Sequence, residues 1–173
     1  RRQFLGKLNS RPDLYGRVRI AEAGRGVSEI VPADTADYVL SFRNVHNWLA
    51  AGDGKAEVMF DKFYAALKPG GMLGVVEHRA KAGTSLEQMV ESGYVTEEKV
   101  RELASNAGFE LLSVSPANQN PRDTTAHPEG VWTLPPASRT PEEGSAEAES
   151  FDADAYLAIG ESDRATLKFM KPE

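Results

Sequence analysis

The chain of 173 residues contains no cysteine. That excludes disulfides, a thiolate nucleophile and cysteine-rich zinc sites, and it suits any compartment. Basic residues are scarce relative to acidic ones, 20 against 26, giving a net charge of -6 and a pI near 5.2. A nucleic-acid-binding surface would normally show a basic face, so no nucleic-acid partner is expected. No run of about 18 apolar residues occurs, so no membrane-spanning helix is expected either. The opening residues Arg1, Arg2, Gln3, Phe4 and Leu5 lack the apolar core of a signal peptide. They also lack an initiator methionine, so the chain is expected to begin after a cleavage or partway through a gene product. Location is cytoplasmic by default, with export left open by what precedes Arg1.

What is present is an alternation of short apolar runs with amphipathic segments, in a length that makes one domain with a real core. Phe4, Leu5 and Leu8 share a helical face over residues 2–8, and the spacing predicts a strand over 18–23. Residues 24–26, Gly-Arg-Gly, break that run, and 27–34 read as a loop. Residues 38–42 are a near-continuous apolar run, the pattern of a strand covered on both faces. A helix is expected over 56–67 with Val58, Met59, Phe63, Ala66 and Leu67 on its face, stopped by Pro69, Gly70 and Gly71. Strands follow at 72–76, 109–114 and 165–170, with a helix at 96–107 capped by Thr96. Residues 116–155 hold most of the prolines and read as an insertion, with Val131, Trp132 and Leu134 apolar enough to fold over a crevice as a lid. Strands separated by helices predict an α/β fold: a Rossmann-like, mostly parallel sheet with helices on both faces.

Two apolar runs end abruptly on functional side chains. The first is Asp37-Tyr-Val-Leu-Ser-Phe-Arg-Asn-Val-His-Asn-Trp48; the second, Leu67-Lys-Pro-Gly-Gly-Met-Leu-Gly-Val-Val-Glu-His78, leads into Arg79. Parallel strands ending this way form one edge of a crevice, where ligands bind in open α/β sheets. In order and spacing, these segments resemble the second half of a class I S-adenosylmethionine-dependent methyltransferase, closest to a bacterial group of predicted methyltransferases. The resemblance covers roughly residues 1–115 and 156–171, and it makes the two runs the fourth and fifth strands of that family's sheet.

The resemblance implies a single methyltransferase-like domain over 1–173, incomplete at its N-terminus and lacking the first two strands. Such enzymes hold the cofactor's amino-acid end on a glycine-rich turn after the first strand and its ribose on an acidic residue ending the second. Neither feature is in this sequence, so the cofactor-anchoring half is expected upstream of Arg1. Function is expected to be methyl transfer from S-adenosylmethionine to a small-molecule acceptor, as part of a longer protein. The alternative is a non-catalytic methyltransferase-like module that binds a partner through an open sheet edge. A homodimer is among the assemblies expected.

Candidate cofactor contacts on this reading are Glu22, Ala23, Phe42, Arg43 and Asn44. His46 could serve as a base near neutral pH and Asn44 could orient an acceptor by hydrogen bonds. Asn47, Trp48, Glu77, His78, Arg79 and Trp132 are candidate substrate contacts. The plainer readings stay open: a helix cap at Asn44 or Asn47, a core Trp48, and a self-satisfied ion pair at Glu77 and Arg79. Asp123, His127 and Glu129 offer oxygen and imidazole ligands in the proline-rich segment. A solvated loop is the favoured reading there, and no metal site is expected.

Overall fold

The computed structural model describes residues 2–22, 27 and 29–173. Helices α1 (Arg2–Ser10) and α2 (Pro12–Tyr15) come first, followed by β1 (Ala36–Phe42), α3 (Val45–Ala50), α4 (Lys55–Ala66) and β2 (Leu67–His78). Then come α5 (Leu86–Ser92), α6 (Glu97–Asn106), β3 (Glu110–Ser115), a 3-10 turn at Gly130–Thr133, α7 (Ala146–Glu149), α8 (Ala153–Ile159) and β4 (Arg164–Met170). No helix among the described residues is long and apolar enough to cross a membrane.

Local chemistry sets these boundaries. The Thr96 hydroxyl accepts from Lys99 N at 3.1 Å, and Glu97 and Glu98 favour the positive end of α6. Its Val100, Leu103 and Ala104 turn inward. Helix α4 buries Ala56, Met59, Phe60, Phe63 and Ala66, whereas Val58, expected on that face, is exposed. Lys68, Pro69, Gly70 and Gly71 then form a bulge: the pairing steps from Ala36 with Leu67 to Tyr38 with Met72. Gly70 sits at φ 75° inside it, a conformation that costs glycine nothing.

The sheet has the order β1-β2-β4-β3. Strands β1 and β2 are parallel, with Phe42 opposite Val76, while β4 is antiparallel to both β2 and β3. Three strands therefore run one way and β4 runs against them. The reason is connectivity. The chain leaves β3 at the carboxyl ends of the parallel strands, stays at that end through residues 116–163, and enters β4 from there. The backbone N–H of Arg164 donates to Asn118 O at 3.0 Å, fastening this entry point.

One face of the sheet carries the core, where Leu73, Val75, Leu167 and Phe169 meet Phe60, Phe63, Val100, Leu103 and Phe109. The sheet is flanked by helices as expected, and its other face is open along β1. Tyr38, Leu40 and Phe42 alternate along β1 and are 71%, 63% and 56% exposed. Among the described residues this face is an open apolar groove, floored by Met72, Gly74, Thr166 and Lys168. The expected strand over 18–23 is also absent from its described part: residues 18–22 form no regular element, and Ala23 lies outside the described residues. A lone strand with no neighbour leaves its backbone groups unpaired, which explains why the apolar pattern alone did not produce one.

Residues 130–134 are packed against the rest of the chain. Gly130 adopts φ 55°, and a Cβ there would stand 2.3 Å from the backbone oxygen of Ser92. Gly130→Ala should therefore lower stability by about 2 kcal/mol or more, visible as a melting temperature lower by roughly 5 °C. Gly6→Ala in α1, where nothing lies within 4 Å, should leave the melting temperature unchanged or slightly higher.

Candidate active site

At the carboxyl ends of β1 and β2 the chain turns sharply. Arg43 takes a left-handed backbone at φ 56°, and its N–H donates to Val76 O at 2.7 Å. Such a conformation is costly for a non-glycine residue and clusters at functional sites. Helix α3 begins immediately afterwards, and its first N–H groups need acceptors. Asn44 holds the cap position, but its side chain makes no capping bond. The acceptor comes from the neighbouring strand: Glu77 Oε2 takes Val45 N at 2.6 Å and His46 N at 3.3 Å.

Glu77 is 0% exposed. Its other oxygen, Oε1, accepts from His78 N at 2.9 Å and faces His46 Nδ1 at 2.9 Å. A carboxylate can only accept, so this contact places the imidazole proton of His46 on Nδ1 and leaves Nε2 as the open nitrogen. His78 lies beside it, with ring centroids 5.3 Å apart, and its Nδ1 is 2.5 Å from Ser162 Oγ. Burial pushes the His78 imidazole down to about 4; the Glu77 charge opposes this, and His46, Arg164 and Arg43 reinforce it. His78 is thus neutral at neutral pH.

A crevice of about 240 Å³ opens over this pair, lined by Phe42, Arg43, His46, His78, Trp132 and the segment through Pro135 and Pro136. The Trp132 indole stands edge-on to His46 at 6.1 Å, with the Arg139 guanidinium stacked 5.1 Å from its centroid. On the far side of Trp132 lies a larger polar pocket of about 580 Å³ containing Thr84, Gln88, Glu91, Tyr94, His127 and Glu129.

Several expected contacts are placed elsewhere. Trp48 packs edge-on to Phe60 at 6.4 Å and Phe63 at 5.6 Å, against the core, because α3 turns that side of its short helix onto α4. Arg79 is held by Asp163 through two 2.8 Å bonds and by Glu97 at 2.9 Å, which keeps its guanidinium out of the crevice. Glu77 is too deeply buried to touch a substrate; it positions His46 instead. Asn44 and Asn47 are exposed beside Arg43, with Asn47 Nδ2 3.5 Å from Arg43 O. Glu22 is exposed in a segment without regular structure and does not line the crevice. Ala23 lies outside the described residues.

Sequence reasoning also missed a buried hub. Asp123 accepts from Tyr94 OH at 2.9 Å, Thr125 N at 2.8 Å, Asp163 N at 2.8 Å and His127 Nε2 at 2.8 Å. Burial pushes its carboxyl up, but the bonds from His127, Thr125, Asp163 and Tyr94 together bring it below the usual carboxylate range. The solvated loop expected there is therefore a pinned one. The four-residue step from Asp123 to His127 was the available signal. The spacing of His46, Glu77 and His78, with one ligand atom each within 4.8 Å of the others, could suit a metal ion. However, both Glu77 oxygens already accept bonds within the protein, and the inner nitrogen of His46 is engaged as a donor to one of them.

No protein-family model matches this chain, and no curated protein matches it. Solved structures do. A "putative sarcosine dimethylglycine methyltransferase" from Galdieria sulphuraria is similar at a TM-score of 0.58, with 14% identity over 96% of this chain and 64% of that one. The [4+2]-cyclase SpnF is similar at 0.57, with 19% identity over 96% and 60%. A "possible exported protein" from Bordetella parapertussis is similar at 0.52, with 14% identity over 98% and 50%. The fold is that of class I S-adenosylmethionine-dependent methyltransferases. The chain spans half to just under two thirds of the length of these structures.

Two outcomes are expected of this methyltransferase-fold site. Glu77→Gln should cost roughly 2–4 kcal/mol, since an amide cannot accept on both sides and leaves a buried donor unmatched; urea denaturation measures it. His78 in the unfolded chain titrates near its ordinary value and in the fold only near 4. The unfolded state therefore binds the extra proton, so stability is complete above about pH 6.5 and falls as pH drops toward 4. The loss over that window is about 3 kcal/mol, and His78→Gln should flatten it in melts recorded from pH 7 to pH 4.

Proposed function

We propose that this protein transfers a methyl group from S-adenosylmethionine to a small-molecule acceptor bound in the crevice over His46 and His78. The observation that carries this reading is the buried Glu77 carboxylate, which aligns one imidazole at the tips of two parallel strands in a methyltransferase fold. A carboxylate behind Nδ1 fixes ring and tautomer, an arrangement suited to taking a proton at Nε2.

The residues present fit one end of that cofactor. The exposed Phe42 ring and the Trp132 indole are aromatic surfaces at the crevice, and such surfaces accommodate a sulfonium-like cation. Phe42, Asn44 and the backbone at Arg43 would hold that end. The sequence offers no glycine-rich turn for the amino-acid end. When bound, the cofactor supplies the activated methyl group. The chain's own residues position the acceptor and handle its proton. His46 Nε2 takes the acceptor's proton, neutral His78 and Trp132 wall the acceptor in, and Pro135 and Pro136 keep water from that side.

A second reading rests on a specific observation as well. The uncovered row Tyr38, Leu40 and Phe42 suits a non-catalytic module that binds through its sheet. Calorimetry with S-adenosylmethionine on the protein at its full length separates the two. Saturable binding is expected, with His46→Gln lowering turnover about 100-fold and Asn44→Ala at least about tenfold at an unchanged melting temperature. No binding would leave the module reading, and full turnover in His46→Gln would remove the base.

A further inference from the structure

Next to the crevice lies a second cleft of about 240 Å³, lined by Phe42, Arg43, Val76, Asn118, Glu161 and Arg164. It straddles the tip of β2. Arg43 follows the end of β1 on one side, bonded through its backbone to Val76, and Arg164 opens β4 on the other, in register with His78. Two strand spacings separate their backbones, roughly 10 Å, a gap that two long guanidinium side chains can close around a small group.

The cleft carries an unmet donor. Arg164 gives its NH2 group to Glu161, yet its buried Nε–H has no hydrogen-bond partner. A buried unpaired donor on a charged group is costly, and such exceptions point to an absent acceptor. The Arg43 guanidinium has no ion-pair partner among the described residues. Two guanidiniums and one carboxylate, Glu161, thus line the cleft, and that carboxylate is engaged by Arg164.

We infer that this cleft is an anion subsite that binds a carboxylate carried by the acceptor, held between Arg43 and Arg164. The inference rests on the methyl-transfer reading for the word acceptor, and it names the class: a small molecule bearing one carboxylate. A planar carboxylate matches the fork geometry of guanidinium and supplies the oxygen that Arg164 Nε lacks. The acceptor's anionic end is thereby placed on one side of Phe42 and its reacting end beside His46 on the other, since Phe42 and Arg43 line both spaces.

The test uses benzoate as the probe and benzamide, its neutral counterpart, as control, titrated into the protein by calorimetry and ligand-observed NMR. Benzoate should bind at least tenfold tighter than benzamide. Arg43→Gln, at an exposed position that the core does not need, should remove that preference, and so should Arg164→Gln. Arg101→Gln, on the outer side of α6, should leave it intact. A spectroscopic readout accompanies this: the His78 ring faces Glu77, His46, Arg43 and Arg164, so an added anion should raise the midpoint of its proton titration. Equal binding of the two probes, or a benzoate preference that survives Arg43→Gln, overturns the subsite. S-adenosylmethionine titrated into the same samples keeps the two ideas separate. Benzoate discrimination without cofactor binding retains the subsite and removes methyl transfer; cofactor binding without discrimination does the reverse.

Discussion

The site depends on one buried carboxylate. Glu77 ends a strand, yet its oxygens cap the helix that follows the neighbouring strand and fix the imidazole of His46. A fully buried charge is unfavourable unless its acceptor sites are filled, and here four donors fill them. The same contacts that make the burial tolerable tie the tip of β1 to the tip of β2. Structure and chemistry are therefore not separable at this position: whatever loosens the cap also frees the ring.

The surroundings show a division of labour. On the core face, Leu73, Val75, Leu167 and Phe169 fix the strands by close packing, and the cost of a misplaced side chain there is high. At the carboxyl ends, polar networks take over. Arg79 joins Asp163 and Glu97, and Asp123 gathers Tyr94, Thr125, His127 and Asp163. These networks pin the long connection between β3 and β4 over the strand ends, which is how a proline-rich segment comes to supply Trp132 to the crevice. The open face of the sheet has no such cover among the described residues, and its β1 side chains Tyr38, Leu40 and Phe42 are exposed.

Much of the fold was legible in the sequence because it is written in local patterns. The apolar runs ending at Phe42 and Val76, the cap at Thr96 and the glycines at 70 and 71 each signal their element directly, and the pairing of Phe42 with Val76 follows from two adjacent parallel strands. What was not legible depends on partners distant in the chain. Whether residues 18–22 form a strand is decided by a neighbour, not by their own pattern. The role of Glu77 requires knowing that α3 starts next to it, 32 residues earlier in the chain. Trp48 and Arg79 sit beside candidate site residues in sequence, but helix direction and ion pairing with Asp163 turn them away. The placement of Arg164 beside the β2 tip was invisible because the antiparallel entry of β4 at that end is a property of topology.

The account stands most directly on the tautomer of His46. Long-range proton–nitrogen correlation NMR on uniformly labelled protein at neutral pH resolves which ring nitrogen carries the hydrogen. A protonated Nδ1 with a bare Nε2 is the result expected of an imidazole backed by Glu77. The opposite tautomer, or a ring averaging freely between the two, would contradict it.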